Sequence, residues 1–404
     1  MSEQAPAPPR LTPKRILVTV WLAVFATSLF FRAVDPIIPQ IAADLKETIT
    51  AVALLATAFA LPYALMQPVL GALADMLGKT RMMFACLVIV TFSTFAGAFA
   101  PDLTILMISR IVSGVVAGGT FPIALALIAQ VVPVEQRQVA VSRVLAGAML
   151  GNLLGSALSG IIADTMGWRG VFIVNGCFAL AALIAAFIGF GGPGRPPPQT
   201  INLRSVPASY RAILSHPMAK FCFGGVLMEG IFLFGFFPYV APLLHAAGEN
   251  RATISGLVIG GFGIGGMAYS LIIAFLLPRL GQRRLMFLGG SLMGLGLMAM
   301  AIMPRWQLQI AIFMLFGMSF YLLHGVIQIV VTELVPAARS SATAIHSTFF
   351  FLGQSLGPIY YSLAFGGIGQ QTTLIISGCV LIATGVTCAI GMRLPQRPRY
   401  SPTP

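Results

Sequence analysis

Long apolar stretches, broken by short polar or basic turns, run from end to end of this 404-residue chain. A bilayer core of about 30 Å needs roughly 20 apolar residues per helix. Twelve runs reach that length: 16–38, 49–72, 81–100, 103–131, 138–163, 169–191, 219–243, 252–277, 284–303, 306–332, 340–366 and 371–392. The pattern predicts an all-α membrane protein with twelve transmembrane helices. The first run is too long, and too soon followed by others, to be a cleaved signal peptide. Residues 1–15, rich in Pro and Ala, and 393–404, rich in Pro and Arg, read as disordered ends. One substantial connection, 192–218, separates a bundle over 16–191 from another over 219–392. Its prolines oppose continuous helix, with a short surface helix expected over Ser209–Ser215. The other turns are short, so neighbouring helices pack antiparallel.

The two bundles share a pattern at a fixed offset. Leu73, Leu77, Gly78, Arg81, Met83 and Phe84 recur 203 positions later as Leu276, Leu280, Gly281, Arg284, Met286 and Phe287. The same offset pairs Pro39 with Pro242, Gly114 with Gly317 and Pro133 with Pro336. An offset held without gaps across so many landmarks is an internal duplication. The halves are therefore pseudo-symmetric.

Composition supports a lipid solvent: 57% of residues are hydrophobic and 9% charged, which no ordinary soluble domain of this size shows. The formal charge of +13 raises the question of a nucleic-acid partner, and its placement answers it. Seventeen of the 24 Lys and Arg fall in the two tails and the even-to-odd loops, whereas only Lys46, Arg169, Arg251 and Arg305 fall in the opposite loops. That is the positive-inside bias, which puts both termini in the cytoplasm and excludes nucleic acid as the reason for the charge. The five cysteines lie inside apolar runs at spacings that suit neither disulfides nor zinc, and read as small core residues. No metal or cofactor is expected.

The turn Gly71-x-Leu73-Ala74-Asp75-x-x-Gly78-Lys79-x-Arg81 carries the most specific chemistry. Gly71 and Gly78 allow close helix packing and a tight reversal. Asp75 suits the positive N-terminal end of a neighbouring helix. Lys79 and Arg81 supply charges that form and release ion pairs. The second copy has Pro278 where Asp75 stands, so only one side of this gating motif is expected to switch.

This turn resembles the cytoplasmic signature of the major facilitator superfamily. Asp35-Pro36-Ile37-Ile38-Pro39-Gln40-Ile41-Ala42 resembles the first-helix motif of its proton-coupled antiporters. Arg110-Ile-Val-Ser-Gly114-x-x-x-Gly118 resembles its fourth-helix arginine motif. Gly151-x-x-x-Gly155-Ser156-x-x-Ser159-Gly160 resembles the fifth-helix antiporter motif, and Gly167-Trp168-Arg169-Gly-Val-Phe172 the turn before the sixth helix. The resemblance covers essentially the whole chain and points to the twelve-helix, drug:proton antiporter-like branch. It implies two six-helix bundles, alternating access, and a central cavity lined by the first, fourth, seventh and tenth helices.

Ionisable residues inside predicted spans are costly, at about 2.5–3.5 kcal/mol for a charge at bilayer centre on insertion scales, and so are functional candidates. Asp35 lies near the outer end of the first helix with Arg32 one turn earlier. Glu229 lies in the seventh helix, Arg110 and Arg143 in the fourth and fifth, His324 and His346 in the tenth and eleventh. The resemblance places Asp35, Arg110, Glu229 and His324 toward the cavity. Desolvation favours a protonated acid and a nearby guanidinium an ionised one, so such a carboxylate loads and releases protons. Asp35 is expected to be the principal proton site and Glu229 the second. The alternatives are a fixed Arg32–Asp35 ion pair, a packing role for Glu229 and the histidines, and an Arg110 that only bonds backbone carbonyls. Arg143 and His346 are partners under the offset and are expected in equivalent places.

Candidate substrate contacts follow from helical spacing. Tyr321, His324 and Gln328 share a face of the tenth helix, and Phe232 and Phe236 share one with Glu229 on the seventh. Asn152, His346 and Gln354 add polar groups on the fifth and eleventh. Such a lining suits a flattish, amphipathic organic solute. Gly147, Gly151 and Gly155 form a stripe that lets helices approach closely. The fifth-helix motif departs from the family pattern at Ser156 and Ser159-Gly160, which leaves direction open. Proton-linked efflux is the first expectation, and uptake of a nutrient or vitamin-like solute the alternative. Scattered single histidines and acids exclude an enzyme, mixed-sign single charges an ion pore. No ATP-binding loop appears, so a proton gradient is the expected energy source. A monomer in a bacterial inner membrane completes the expectation.

Overall fold

The computed structural model of the chain describes residues 13–191, 206–335 and 339–392. The expected tails, most of the 192–218 connection and the side chain of Asp75 lie outside the described residues. Every element among the described residues is helical. In order they are α1 (Pro13–Phe31), α2 (Ile38–Leu45), α3 (Ile49–Leu77), α4 (Lys79–Ala98), α5 (Leu103–Val131) and α6 (Val134–Phe190). Then follow α7 (Val206–Leu214), α8 (Ala219–Met228), α9 (Phe237–Ala246), α10 (Ala252–Met300), α11 (Trp306–Leu334), α12 (Arg339–Gly367) and α13 (Gln370–Gly391).

Two of these helices hold two spans each. α6 bends at Gly167 (φ 72°) and α10 at Gly281 (φ 72°), where only glycine tolerates the backbone. Two other spans are broken in their middle. The first ends as α1 at Phe31 and resumes through a 3₁₀ turn, Asp35–Ile37, into α2. The seventh passes from α8 through a π turn, Glu229–Leu233, and a 3₁₀ turn, Phe234–Phe236, into α9. Counting both bends and both breaks gives twelve spans among the described residues. Large apolar side chains such as Leu271 (84% exposed) and Ile390 (76%) stand outward, as a lipid-facing surface requires.

Local chemistry sets the ends. Thr48 accepts from the Ala51 N–H (3.2 Å) and caps α3, and Asp102 accepts from Ile105 N–H (2.9 Å) and caps α5. Gly78, between α3 and α4, has φ 97°, and its offset partner Gly281 also has positive φ. The duplication extends to packing. A Cβ at Gly114 would collide with the Phe59 carbonyl, and one at Gly317 with the Phe262 carbonyl. Phe59 and Phe262 are themselves 203 apart, so both copies press the same glycine against the same backbone turn.

The chain divides into two compact units. The first comprises Met1–Asn202 with Phe237–Gly260, and the second Leu203–Phe236 with Gly261–Pro404. In the first unit α1 packs along α6, and the carbonyls of Phe25 and Leu29 lie where Cβ atoms on Gly151 and Gly155 would go. Gly147 meets the Trp21 ring in the same row. The turn before the sixth span is fastened by Trp168 Nε1, which donates to Asp44 Oδ2 (3.0 Å), and by an Arg169–Asp44 ion pair. Arg169 also donates to the Ala100 carbonyl (3.3 Å), so one tryptophan–arginine pair ties the ends of α2 and α4 to the bend in α6.

Two sequence expectations need correction. The expected helix over Ser209–Ser215 is α7, which starts three residues earlier and ends one residue earlier. Cys86, Cys222 and Cys388 are buried, but Cys177 and Cys379 are exposed, because their helices turn those faces outward from their units.

Candidate functional site

Ionisable side chains buried inside spans form two clusters, one in each unit. In the first, the break after Phe31 leaves the end of α1 without the amide donors a continuing helix would provide. Arg110, on α5 and without solvent exposure, fills that role: Nη1 donates to the Phe30 carbonyl (3.0 Å) and Nε to the Leu55 carbonyl (3.4 Å). Its guanidinium lies against two rings set edge to face, 4.5 Å from the Phe30 centroid and 4.3 Å from that of Phe59. A planar cation suits both contacts, which an ammonium does not. Asp35, 1% exposed, accepts from Arg32 Nη1 (3.2 Å). Arg32 in turn lies over the Phe237 ring at 4.8 Å. The pair forms across the break, between residue 32 and the first residue of the 3₁₀ turn, not along a continuous helix face.

The second cluster is a carboxylate with two imidazoles. Glu229, with no exposed surface, opens the π turn, and its Oε2 lies 2.8 Å from His324 Nδ1 on α11. His346, on α12, meets the His324 ring edge-on at 4.8 Å between centroids. Phe320 stacks on His324 at 4.5 Å, and Phe350 lies 4.9 Å from it. Glu229 Oε1 and His346 Nε2 have no hydrogen-bond partner among the described residues. The π turn permits this approach. It leaves Gly230, the next residue, against the backbone of α12 at Phe350 and Gly353, where a side chain would not fit. The result is an acid and two bases in aromatic surroundings, with open positions for a proton at both ends.

The remaining candidates are placed as follows. Tyr321 stacks on Tyr269 at 5.6 Å, Gln354 is buried, and Gln328 is exposed. Asn152 is exposed and donates to the Ala148 carbonyl of its own helix (3.1 Å). Phe232 packs edge-on against Tyr360. Phe236 is fully buried and packs against Phe313 on α11 and Tyr361 on α12. Arg143 is exposed while His346 is 3% exposed, so the offset partners do not occupy equivalent environments. In the gating motif, Gly71 faces Pro122, and Lys79 and Arg81 begin α4.

Sequence reasoning found Glu229, His324 and His346 singly and missed their union. Residues 95 apart on different helices leave no periodic trace, and the π turn that joins them has no distinctive composition. The aromatic clamp on Arg110 was missed for the same reason.

The comparisons with known proteins agree with this architecture. The family model described as Major Facilitator Superfamily matches residues 20–358 and, separately, 238–404. The chain belongs to the major facilitator superfamily. It is an integral, multi-pass membrane transporter, not an enzyme, and it moves small molecules across the bilayer. Similar proteins include the "Uncharacterized MFS-type transporter YfhI" of Bacillus subtilis, 25% identical over 397 residues covering 95% of each chain. The "Multi-drug resistance efflux pump PmrA" of Streptococcus pneumoniae is 28% identical over 370 residues, covering 87% of this chain and 89% of that one. Among solved structures, a bacterial homolog of the human lysosomal transporter Spinster, in an inward-facing and unoccupied conformation, superposes with TM-score 0.73. It is 16% identical, over 94% of this chain and 96% of that one, and so bears on the fold alone.

Proposed function

We propose that this transporter exports a small, amphipathic organic compound in exchange for protons, by alternating access. The bonded Glu229–His324 pair, with His346 beside it, carries the reading. A buried carboxyl and imidazole that share a hydrogen bond can hold one proton between them, and Glu229 Oε1 and His346 Nε2 are left for further hydrogen bonds. The order expected from sequence is thereby reversed. Asp35 is held by Arg32 across the break at 3.2 Å, a geometry that suits a fixed ion pair. Arg110 serves as a structural clamp on the broken first span.

Energetics allow the scheme: one proton crossing 100 mV releases about 2.3 kcal/mol. Export is supported by the similar protein named a multidrug efflux pump. The same reading places the protein as a monomer in a bacterial inner membrane with both termini cytoplasmic, as the distribution of Lys and Arg supports.

Everted membrane vesicles with ethidium as the probe test it. Respiration should drive ethidium into vesicles carrying the native protein. Glu229→Gln should abolish that accumulation while ethidium exchange without a gradient persists, and Asp35→Asn should retain the coupling. Full gradient-driven accumulation in Glu229→Gln would refute the proton assignment. Accumulation by right-side-out vesicles alone would replace export with uptake.

A further inference from the structure

The start of α10 is capped by a residue 88 positions away in sequence. Asp164, near the end of the fifth span on α6, accepts hydrogen bonds from the Ala252 N–H (2.9 Å) and the Thr253 N–H (2.8 Å). These are amides that a helix leaves unpaired at its start, and a carboxylate there also meets the positive end of the helix dipole. A local acid was available and is otherwise engaged. Glu249 binds Arg251 through Nε (2.7 Å) and Nη2 (2.6 Å), and that guanidinium holds its carboxyl below the usual range. Behind the cap the two helices touch backbone to backbone. A Cβ at Gly160 would strike the Ala252 carbonyl, and one at Gly256 the Ser156 carbonyl. Ser156 is one of the positions where the fifth-helix motif departs from its family pattern, and Gly160 is the glycine that the pair Ser159-Gly160 retains. All of these residues belong to the first unit.

We propose that Asp164 is a gating residue: its bonds to the start of α10, seated over the Gly160–Gly256 contact, latch the outer side shut and must break before that side opens. The proposal rests on the alternating-access reading. Opening carries the start of α10 away from α6, which exposes both the carboxylate and the two amides to water. Asp164 is already exposed, so water replaces the cap readily and the latch is weak enough to cycle. Arg251 also faces Asp164, which keeps a positive charge beside the carboxylate in the latched state.

The reporter is Ser159→Cys in a chain whose exposed Cys177 and Cys379 are changed to serine. Ser159 is 1% exposed and its hydroxyl has no hydrogen-bond partner among the described residues, so a thiol replaces it at little cost. Whole cells are treated with a membrane-impermeant sulfonated maleimide and the labelling rate is measured. Loss of a helix cap predicts that Asp164→Ala raises the rate about two- to fivefold, with Asp164→Asn between it and the native residue. Gly256→Ala, which forces the backbones apart, should raise the rate independently. An unchanged rate in Asp164→Ala, alongside a raised rate in Gly256→Ala, overturns the latch and leaves alternating access standing. So does a lowered melting temperature with unchanged labelling, the signature of a merely structural cap. If neither variant exposes Ser159→Cys, the alternating-access reading falls with the latch. Should Asp164→Ala fail to reach the membrane, Asp164→Asn is judged by the same criterion.

Discussion

Arg110 is the clearest example of a side chain doing what backbone cannot. It donates to a carbonyl at the end of α1 and to another on α3, and two phenyl rings lie against its guanidinium. Arg110→Lys keeps the charge and loses the fork and the stacking. Leaving buried carbonyls short of a donor costs about 1–3 kcal/mol, so the detergent-solubilised variant should melt several degrees lower. His324→Phe is a different test: it preserves ring stacking on Phe320 and removes the partner of Glu229. Its expected result is normal folding with loss of gradient-driven ethidium accumulation in vesicles. At this scale the sequence is half legible. Arg32 and Asp35 are close in the chain, so their pairing follows from spacing. Glu229 and His324 meet only through tertiary packing, which no local pattern encodes.

Helices show the opposite balance. Apolar runs locate twelve spans because each must hide its backbone polar groups from lipid over one bilayer thickness, and that demand is written in composition. Interruptions are harder to read. Pro36 hints at the break after α1, whereas the π turn at Glu229–Leu233 contains no proline, and the glycine pair ahead of it, Gly224–Gly225, lies within regular helix α8. The duplication yields sharper predictions. Gly281 has φ 72° and ψ 163°, a region essentially closed to other residues, so Gly281→Ala should destabilise by about 1–3 kcal/mol. Gly114→Ala and Gly317→Ala each drive a Cβ into a facing carbonyl and should cost similar amounts, about 1–3 kcal/mol in detergent thermal unfolding. Unequal losses would mean that the two copies no longer bear equal packing loads.

For the whole molecule, family membership fixes the kind of work done, and the buried clusters suggest how it is powered. Cargo is set by shape and polarity summed over many side chains, and these leave no motif. A deletion strain screened for growth across nutrients and antimicrobials supplies what the chain does not spell out: hypersensitivity to lipophilic compounds is the outcome expected for an exporter, and loss of growth on a nutrient that for an importer. The two compact units each carry one exposed native thiol, Cys177 in the first and Cys379 in the second. A donor and an acceptor dye attached at these two sulfurs would turn the unaltered protein into its own ruler, reporting each transport cycle as a change in energy transfer without a single engineered codon.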